Sequence, residues 1–570
     1  MTIFRSKLPL VPPPDYLTVP QFMLDDVATP PSKPERPANV PCLIDEQSGK
    51  TFFLSDLRNR SNSLARTLRS DYGIGCGDIV ALFTPNHLDY LTITWAVHRL
   101  GGIVATMSPS LTKNELVYLL QHARPSLLVA HEDNIQVALD SMQDVGLSAS
   151  AIVLIDDTTS PLKSIDLLIS QGTERPPIQD YKCESGEAKN LIAFLCFSSG
   201  TTGNPKAVSI SHFNVICGVV QSATHHGVND AHVQPEKRRF RAGDVCSGVC
   251  PFYHIYGIVT NLHWQVYSAM TVIVTQKFKF ETMLQSIAKF RITHLVIVPP
   301  QAVLLCKHPA TKNYDLSSVR FCMVAAAPVT AELIGQLLET LPGIDLGQGY
   351  GMTEACAAVT MFPVSQKVGT PGSAGQLVPG TIAKVVKPDG SLAGVGESGE
   401  LLIQGGQITL GYYGNEAATK ESFVDGWYCS GDEVYFNEQG DVFVTDRIKE
   451  LIKVKGLQVT PGELEGHLLN HPDVADACVI GVPDEYAGEA PLAFVVLQPQ
   501  IAKAVLHDAA RREQMKSQIY NYVASAKSRH KWLTGGVIFV ESIPKSPSGK
   551  ILRRVLRDDA KAMQKPRLHL

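Results

Sequence analysis

The chain has no long hydrophobic run. Its longest apolar stretch, Leu191-Ile-Ala-Phe-Leu-Cys-Phe197, is strand-sized, far short of the ~18–20 residues that cross a bilayer, so no membrane insertion is expected. The first residues, Met1-Thr-Ile-Phe-Arg-Ser-Lys-Leu8, have no apolar core and no small-residue cleavage site, so no secretory signal is expected there. An excess of one charge is missing too. Lys+Arg number 51 against 55 Asp+Glu, a formal net charge of −4, which gives no global field to hold nucleic acid. There is no disulfide framework: 12 cysteines are scattered over 570 residues, most in apolar surroundings as reduced, buried thiols are. Cys246, Cys250 and His254 have metal-like spacing but no convincing fourth ligand, and the segment reads as a buried strand reaching a loop rather than a zinc site. Internal repeats and low-complexity tracts are absent.

What is present is ordinary globular composition, 44% hydrophobic and 19% charged, enough for about three to five domain-sized units. The first ~40 residues are proline-rich and read as an extended wrap over the surface. Short apolar runs then alternate with helix-length segments. Ile79–Phe83, Leu127–Ala130, Ala151–Ile155, Thr271–Thr275 and Leu295–Val298 read as buried strands, and Leu88 to Leu100 as a helix stopped by Gly101-Gly102. This pattern predicts α/β architecture with mostly parallel sheets. About 368–446 the strands shorten and Gly, Pro and Asp become dense, which predicts a β-rich subdomain. The rest reads as a separate α+β unit. We expect a large N-terminal domain over 1–447, made of two α/β subdomains and the β-rich subdomain, and a smaller mobile domain over 448–570. From Lys503 onward there are 15 Lys/Arg against 5 Asp/Glu, either a solvated face or one turned toward a polyanion.

Four segments carry chemistry. Phe197-Ser-Ser-Gly-Thr-Thr-Gly-Asn-Pro-Lys-Ala-Val208 follows an apolar strand with hydroxyls, glycine N–H groups and Lys206, the groups that phosphate oxygens need; it is not a G-x4-G-K-[ST] loop. Leu346-Gly-Gln-Gly-Tyr-Gly-Met-Thr-Glu-Ala355 lets the backbone approach a flat ligand. In it Tyr350 can stack on a base, Thr353 can reach a phosphate, and Glu354 can hold Mg²⁺ through oxygen. Gly426-Trp-Tyr-Cys-Ser-Gly-Asp432, followed by Thr445-Asp-Arg-Ile-Lys-Glu450 and Leu451-Ile-Lys-Val-Lys-Gly456, offers Asp432 and Arg447 to ribose hydroxyls. Ile543-Pro-Lys-Ser-Pro-Ser-Gly-Lys550 presents a lysine on a loop.

In this order the four resemble the adenylate-forming superfamily, and within it the 4-coumarate:CoA ligase-like acyl-CoA synthetases in their filamentous-fungal style. The resemblance covers about Phe52 to Arg554. It implies ATP, Mg²⁺ and coenzyme A acting on a small carboxylic acid, neither nucleic acid nor membrane as partner, and a role in secondary metabolism. Carried over residue by residue, Ser198, Ser199, Gly200, Thr201, Thr202, Gly203 and Lys206 match the phosphate loop. Gln348, Gly349, Tyr350 and Thr353 match the adenine and phosphate contacts, and Glu354 the Mg²⁺ ligand. Asp432 and Arg447 match the ribose contacts, and Lys449 the hinge. Lys453 matches an acyl-adenylate contact, Lys455-Gly456 the CoA-facing turn, and Lys550 the catalytic lysine. His254 matches an aromatic gate beside the carboxylate. A pocket walled by His254, Tyr256, Ala325, Gly349, Gly351, Ala357 and Ala358 would be apolar and roomy, fit for an aromatic or a medium-to-long-chain acid. Ser430 stands where Thr is usual, Ala325 where Gly is, and Ala357-Ala358 where plant hydroxycinnamate enzymes have Pro-Val.

The resemblance leaves two acceptors open for the activated acyl group, coenzyme A and a carrier protein of a natural-product assembly line. A catalytically dead nucleotide-binding scaffold is a third reading, against which every charged motif position is present. The terminal Arg567-Leu-His-Leu570 has the basic-then-Leu finish of a peroxisomal tripeptide but Leu568 where a small residue is wanted, so a cytoplasmic location is expected, with a peroxisomal one as the alternative.

Overall fold

The apolar runs become strands buried on both faces. Ile79–Phe83, Ile103–Met107 and Leu127–Ala130 are buried at every residue, as a parallel sheet covered on both sides requires. With Ile152–Leu154 and two longer strands, β1 (Ile192–Ser198) and β2 (Lys206–Ser211), they form a six-stranded sheet. Its first five strands run parallel, and β2 folds back antiparallel on β1 at the sheet edge. The computed structural model describes residues 2–25, 30–156, 160–198, 205–327, 329–447, 450–454, 457–484, 487–546, 549 and 551–564.

Helix α1 (His212–His225) leaves β2 through Ser211, whose side chain accepts the Asn214 N–H. That satisfies one of the free donors at the helix start. A nine-stranded sheet follows the same logic. Leu43–Asp45, Val245–Gly248, Thr271–Val274, His294–Ile297, Phe321–Val324 and β3 (Asp345–Met352) are its parallel strands. The short Thr51–Phe52 closes one edge, and β4 (Ala357–Met361) with Gln376–Leu377 the other, all antiparallel. Tyr90–Arg99, α1 and the helix Tyr256–Trp264 are buried over most of their surfaces, and one apolar core joins them to residues of both sheets. Tyr256–Trp264 has the wide i→i+5 winding that recurs at functional sites.

Two expectations need correction. The predicted helix from Leu88 to Leu100 is shorter, Tyr90–Arg99. The N-terminal segment is not only an extended wrap: Val19–Leu24 is a helix with five buried residues, and Phe22 stacks on Tyr267 at 5.4 Å. Proline density hid an apolar stretch whose start is secured by Gln21 accepting the Thr18 N–H.

The chain packs as two units. One comprises 3–384 and 402–429; the other is mainly 385–401 and 430–570. In the second, β5 (Trp427–Phe436) pairs antiparallel with β6 (Val442–Arg447). A further sheet has the order Leu457–Val459, Ile452–Val454, Gly488–Leu497, Val474–Asp484, with Gly536–Phe539 beside Gly488–Leu497. Helices Pro461–Leu468, Ala509–Ala526 and Arg553–Gln564 pack on these strands. The fold is thus α/β with a separate α+β part, as the alternation of runs predicts.

Candidate active site

The hairpin β1–β2 builds the first wall. Ser198, at the end of β1, pairs with Lys206, at the start of β2. Ser199, Gly200, Thr201, Thr202 and Gly203 lie outside the described residues. Side chains directly opposite across an antiparallel pair share a face, so Ser198 and Lys206 point the same way. Ser198 Oγ donates to Glu354 Oε1 at 3.2 Å. Tyr412 Oη donates to the same oxygen at 2.9 Å, and Lys206 Nζ lies over the Tyr412 ring, 4.7 Å from its centroid. Burial, and then the adjacent Glu354 carboxylate, push the Tyr412 phenol above its ordinary range, so it keeps its proton and remains a donor.

Glu354 is placed by the turn Thr353–Ala355 that follows β3. Thr353 and Glu354 are both buried, and no ion pair to Glu354 forms among the described residues. The glycines of β3 have an internal reason first. A Cβ on Gly347 would sit 2.2 Å from the Phe362 ring, and one on Gly351 would sit 1.5 Å from the Ala357 carbonyl oxygen. Only Gly349 has room, with neighbours no nearer than 3.4 Å. Tyr350 is half-buried and Gly351 exposed. Gln348 is engaged elsewhere: its side-chain oxygen accepts the Val329 N–H at 3.2 Å and its nitrogen donates to the Val329 carbonyl. It therefore ties β3 to the turn after Phe321–Val324.

That turn and the start of β4 hold the strained backbone. Ala326, Cys356 and Ala357 have φ of +75°, +45° and +87°, a region that costs any residue with a Cβ about 1–3 kcal/mol and clusters at functional sites. Ala325, beside Ala326, is buried and donates its N–H to the Ile297 carbonyl. Strand β4 packs against α1 and against the Tyr256–Trp264 helix. Tyr256 and Ala358 are partly buried against the same core as Ala357. The Tyr256 hydroxyl is buried with no hydrogen-bond partner among the described residues, and burial raises its pKa well above the usual range. His254 is half-buried, and its Nδ1 accepts the Tyr256 N–H at 3.2 Å. In the neutral ring the proton therefore sits on Nε2.

In the second unit Asp432 and Arg447 face each other across β5–β6, with Arg447 Nε 3.3 Å from Asp432 Oδ1. The Ser430 hydroxyl donates to the Leu401 carbonyl and accepts the Asp432 N–H, which braces the turn before Asp432. Lys453 is exposed on Ile452–Val454, which pairs with Leu457–Val459. Lys449, Lys455, Gly456 and Lys550 lie outside the described residues. The basic tail is less free than its composition suggests. Lys527 and Lys531 pair with Glu463, Lys545 with Asp476, and Arg553 with Glu450 and Glu465. Acids from 450–476 neutralise these cations, which a count over the tail alone does not register.

The Cys246 and Cys250 thiols meet the Ser247 and Val296 carbonyls, and burial pushes both up. Among the described residues no three His, Cys, Asp or Glu side chains gather as a metal site, and no helix is long and apolar enough to cross a membrane. Sequence reasoning missed Tyr412. Its signal was the Gly411-Tyr-Tyr-Gly414 turn, an aromatic pair set between glycines.

Comparison with known proteins shows the family. The family described as AMP-binding enzyme matches residues 31–413, and the AMP-binding enzyme C-terminal domain matches 463–550. The chain is 33% identical to the probable 4-coumarate–CoA ligase 1 of Dictyostelium discoideum, over 98% of each chain. It is 34% identical to 4-coumarate–CoA ligase 2 of Oryza sativa subsp. japonica, over 98% of this chain and 95% of the relative. It is 31% identical to the acyl-CoA ligase easD of Emericella nidulans, over 95% and 97%. Among solved structures, the anthranilate CoA ligase AuaEII with anthranoyl-AMP has a TM-score of 0.83 at 24% identity, covering 96% of this chain and 98% of that one. ATP-bound MatB from Rhodopseudomonas palustris has a TM-score of 0.79 at 24% identity, covering 96% and 100%. At that identity the structural likeness speaks to the fold.

Proposed function

The chain belongs to the AMP-binding enzyme family as an AMP-forming acid–thiol ligase, and from that premise we propose how its residues divide the reaction. Free carboxylic acids resist thioester formation because hydroxide leaves poorly. ATP removes the obstacle. A carboxylate oxygen attacks the α-phosphorus and pyrophosphate leaves; the thiolate of coenzyme A then attacks the acyl carbonyl of the acyl-AMP, forming the thioester and displacing AMP. The curated relatives are CoA ligases, which favours coenzyme A over a carrier protein.

Two anions meet in the first step, so compensating charge is its main demand. The cluster of Ser198, Lys206 and Glu354 at the base of the β1–β2 hairpin is the observation that carries the assignment. Lys206 and the loop 199–203 receive the polyphosphate. Lys550 bridges carboxylate and phosphate oxygens, which positions as well as neutralises. Tyr350, Thr353 and Gln348 border the nucleotide, with Gln348 acting through the Val329 turn. Asp432 and Arg447 hold the ribose. Glu354 suits Mg²⁺: it is a buried carboxylate that takes two neutral donors and forms no ion pair among the described residues, an oxygen ligand of the type this hard cation prefers. Bound there, Mg²⁺ would supply positive charge to the phosphates.

The acyl group lies between His254, Tyr256, Ala325, Gly349, Gly351, Ala357 and Ala358. The two alanines leave room for a ring or chain. For the second step the domain from 448 to 570 turns about Lys449, withdrawing Lys550 and presenting Lys453, Lys455 and Gly456 to coenzyme A. We place the reaction in the cytoplasm as a further part of this proposal. The test is a panel of aromatic and aliphatic acids assayed for AMP release that needs both ATP and CoA. Thioester formed mole for mole with AMP supports the reading. ADP as product, or no acid supporting turnover, refutes it.

A further inference from the structure

Lys206 starts on the same face of the hairpin as Ser198, and Ser198 touches Glu354. Directly opposite residues in such a pair have Cα atoms about 4.5–5.5 Å apart. The ammonium therefore begins on the side of a buried carboxylate that has no cation on it among the described residues. An ion pair between Lys206 and Glu354 would be the expected resting state. It does not form; the ammonium lies on the Tyr412 ring instead. We propose that Tyr412 is a positioning residue whose hydroxyl aims the Glu354 carboxylate and whose ring keeps Lys206 off it. The inference rests on the roles given above to Glu354 and Lys206, since an ion pair between them would remove the carboxylate from a divalent cation and the ammonium from phosphate together.

The backbone holds Tyr412 firmly. Residues 410–413 run antiparallel beside β2: Ser209 N–H bonds the Gly411 carbonyl, Leu410 N–H the Ser209 carbonyl, and Tyr413 N–H the Ala207 carbonyl. Gly411 has φ +116°, and a Cβ there would sit 2.5 Å from Thr419 Cγ2, so this turn requires glycine. Thr419 Oγ1 accepts the Tyr412 N–H at 2.9 Å. Phe423 packs edge-on against the ring at 6.1 Å. On the carboxylate side, Thr409 N–H bonds the Glu354 carbonyl at 3.0 Å. One segment thus locks both the turn bearing the carboxylate and the ring that receives the lysine. A cation on an aromatic face is held weakly at a partly exposed site, so Lys206 can transfer to phosphate at small cost, whereas a buried ion pair would resist opening.

The test uses the full-length enzyme with Tyr412→Phe, Tyr412→Leu, Glu354→Gln and the Tyr412→Leu/Glu354→Gln double variant. ATP affinity is measured calorimetrically in EDTA, and the Mg²⁺ dependence by ATP–pyrophosphate exchange. Tyr412→Phe keeps the ring and is expected to bind metal-free ATP within about twofold of wild type. Its lost charge-assisted hydrogen bond should raise the half-saturating Mg²⁺ about tenfold. Tyr412→Leu frees Lys206 to pair with Glu354 and should weaken metal-free ATP binding about tenfold. Adding Glu354→Gln should restore that binding to within about threefold of wild type, a larger gain than Glu354→Gln gives on its own, where it only removes a charge from beside the phosphates. If the double variant binds metal-free ATP no better than Tyr412→Leu, the shielding role is wrong. If Tyr412→Phe keeps the wild-type Mg²⁺ dependence while Glu354→Gln loses it, the aiming role is wrong and the role of Glu354 stands. If Glu354→Gln itself keeps wild-type Mg²⁺ dependence, the reading of Glu354 falls and takes this inference with it.

Discussion

Both units bury ion pairs, Arg239–Asp345 in the larger and Arg553–Glu465 in the smaller, and they differ in the other titratable groups they bury. In the larger one, the deeply buried titratable groups include six histidines, His98, His212, His225, His226, His263 and His294, and burial lowers the pKa of each. They serve as neutral hydrogen-bonding and packing groups. His98, for example, bonds the Ala193 carbonyl and packs edge-on against Phe194. In the smaller unit, charges are buried in pairs: Arg553 reaches Glu450 and both oxygens of Glu465. The difference teaches where charge is available to a substrate. Among the described residues the larger unit leaves Glu354 without a cation, and the smaller one neutralises part of its own basic tail.

The largest expected effect separates the steps that the two units serve. Lys550→Ala should lower acid-dependent ATP–pyrophosphate exchange by ~10²–10³-fold, the scale of removing one electrostatic donor. Thioester formation from supplied acyl-AMP should persist, and equal loss of both half-reactions would remove Lys550 from its role. Lys449→Pro fixes φ near −65° and deletes an N–H. It should spare exchange and cut acyl-CoA output by tenfold or more in a protein still folded by circular dichroism. Wild-type output would exclude a turn about this residue, since hinges work through such backbone torsions.

A smaller effect concerns the acyl pocket. Ala358→Phe should reject the larger accepted acids and spare short ones, because overpacking acts locally at a cost of about 1–3 kcal/mol. Ring-size or chain-length preference read from kcat/KM across the acid panel checks it; an unchanged preference would take Ala358 out of the pocket.

A further effect is on stability, and it runs in different pH windows for the two units. The folded-state values of His98, His225 and His263 are lowered to about 3, 4 and 4, below the unfolded value near 6.5. Their stabilising contribution is complete above ~6.5 and is lost as pH falls toward those values, at up to about 1.4 kcal/mol per pH unit for each. In the smaller unit, burial alone would raise Glu463, but hydrogen bonds from Lys531 and Lys527 outweigh it and hold it low. Its contribution is complete above the unfolded value near 4.3 and is lost only below that. Hydrogen exchange read by region between pH 7 and 4.5 should show protection falling more steeply in 3–384 than in 450–564. The reverse order would contradict the contrast.

Much of this was legible in the residues. Five-residue apolar runs such as Ile79–Phe83 can only be buried strands when they recur at crossover spacing, and they are. Glu354, Ser198 and Lys206 were identifiable because their chemistry is local to motifs, and the fold brings them together. What depended on distant contacts was not legible. Gly347 and Gly351 read as glycines for a ligand, yet Phe362 and the Ala357 carbonyl already exclude a side chain. Gln348 read as a nucleotide contact, and its amide is bonded to Val329. Tyr412 lies 58 residues from the carboxylate it touches, and no spacing rule joins them. The basic tail misled for the same reason, its partners lying upstream at Glu450, Glu463, Glu465 and Asp476.

Isotope transfer tests the acyl-adenylate most directly. An accepted acid labelled with ¹⁸O in both carboxylate oxygens is turned over with ATP and CoA, and the products are analysed by mass spectrometry. Attack of the carboxylate on the α-phosphorus leaves the bridging oxygen on AMP when the thiol displaces it, so AMP should carry one ¹⁸O and pyrophosphate none. Unlabelled AMP, or label in pyrophosphate or inorganic phosphate, would contradict the account.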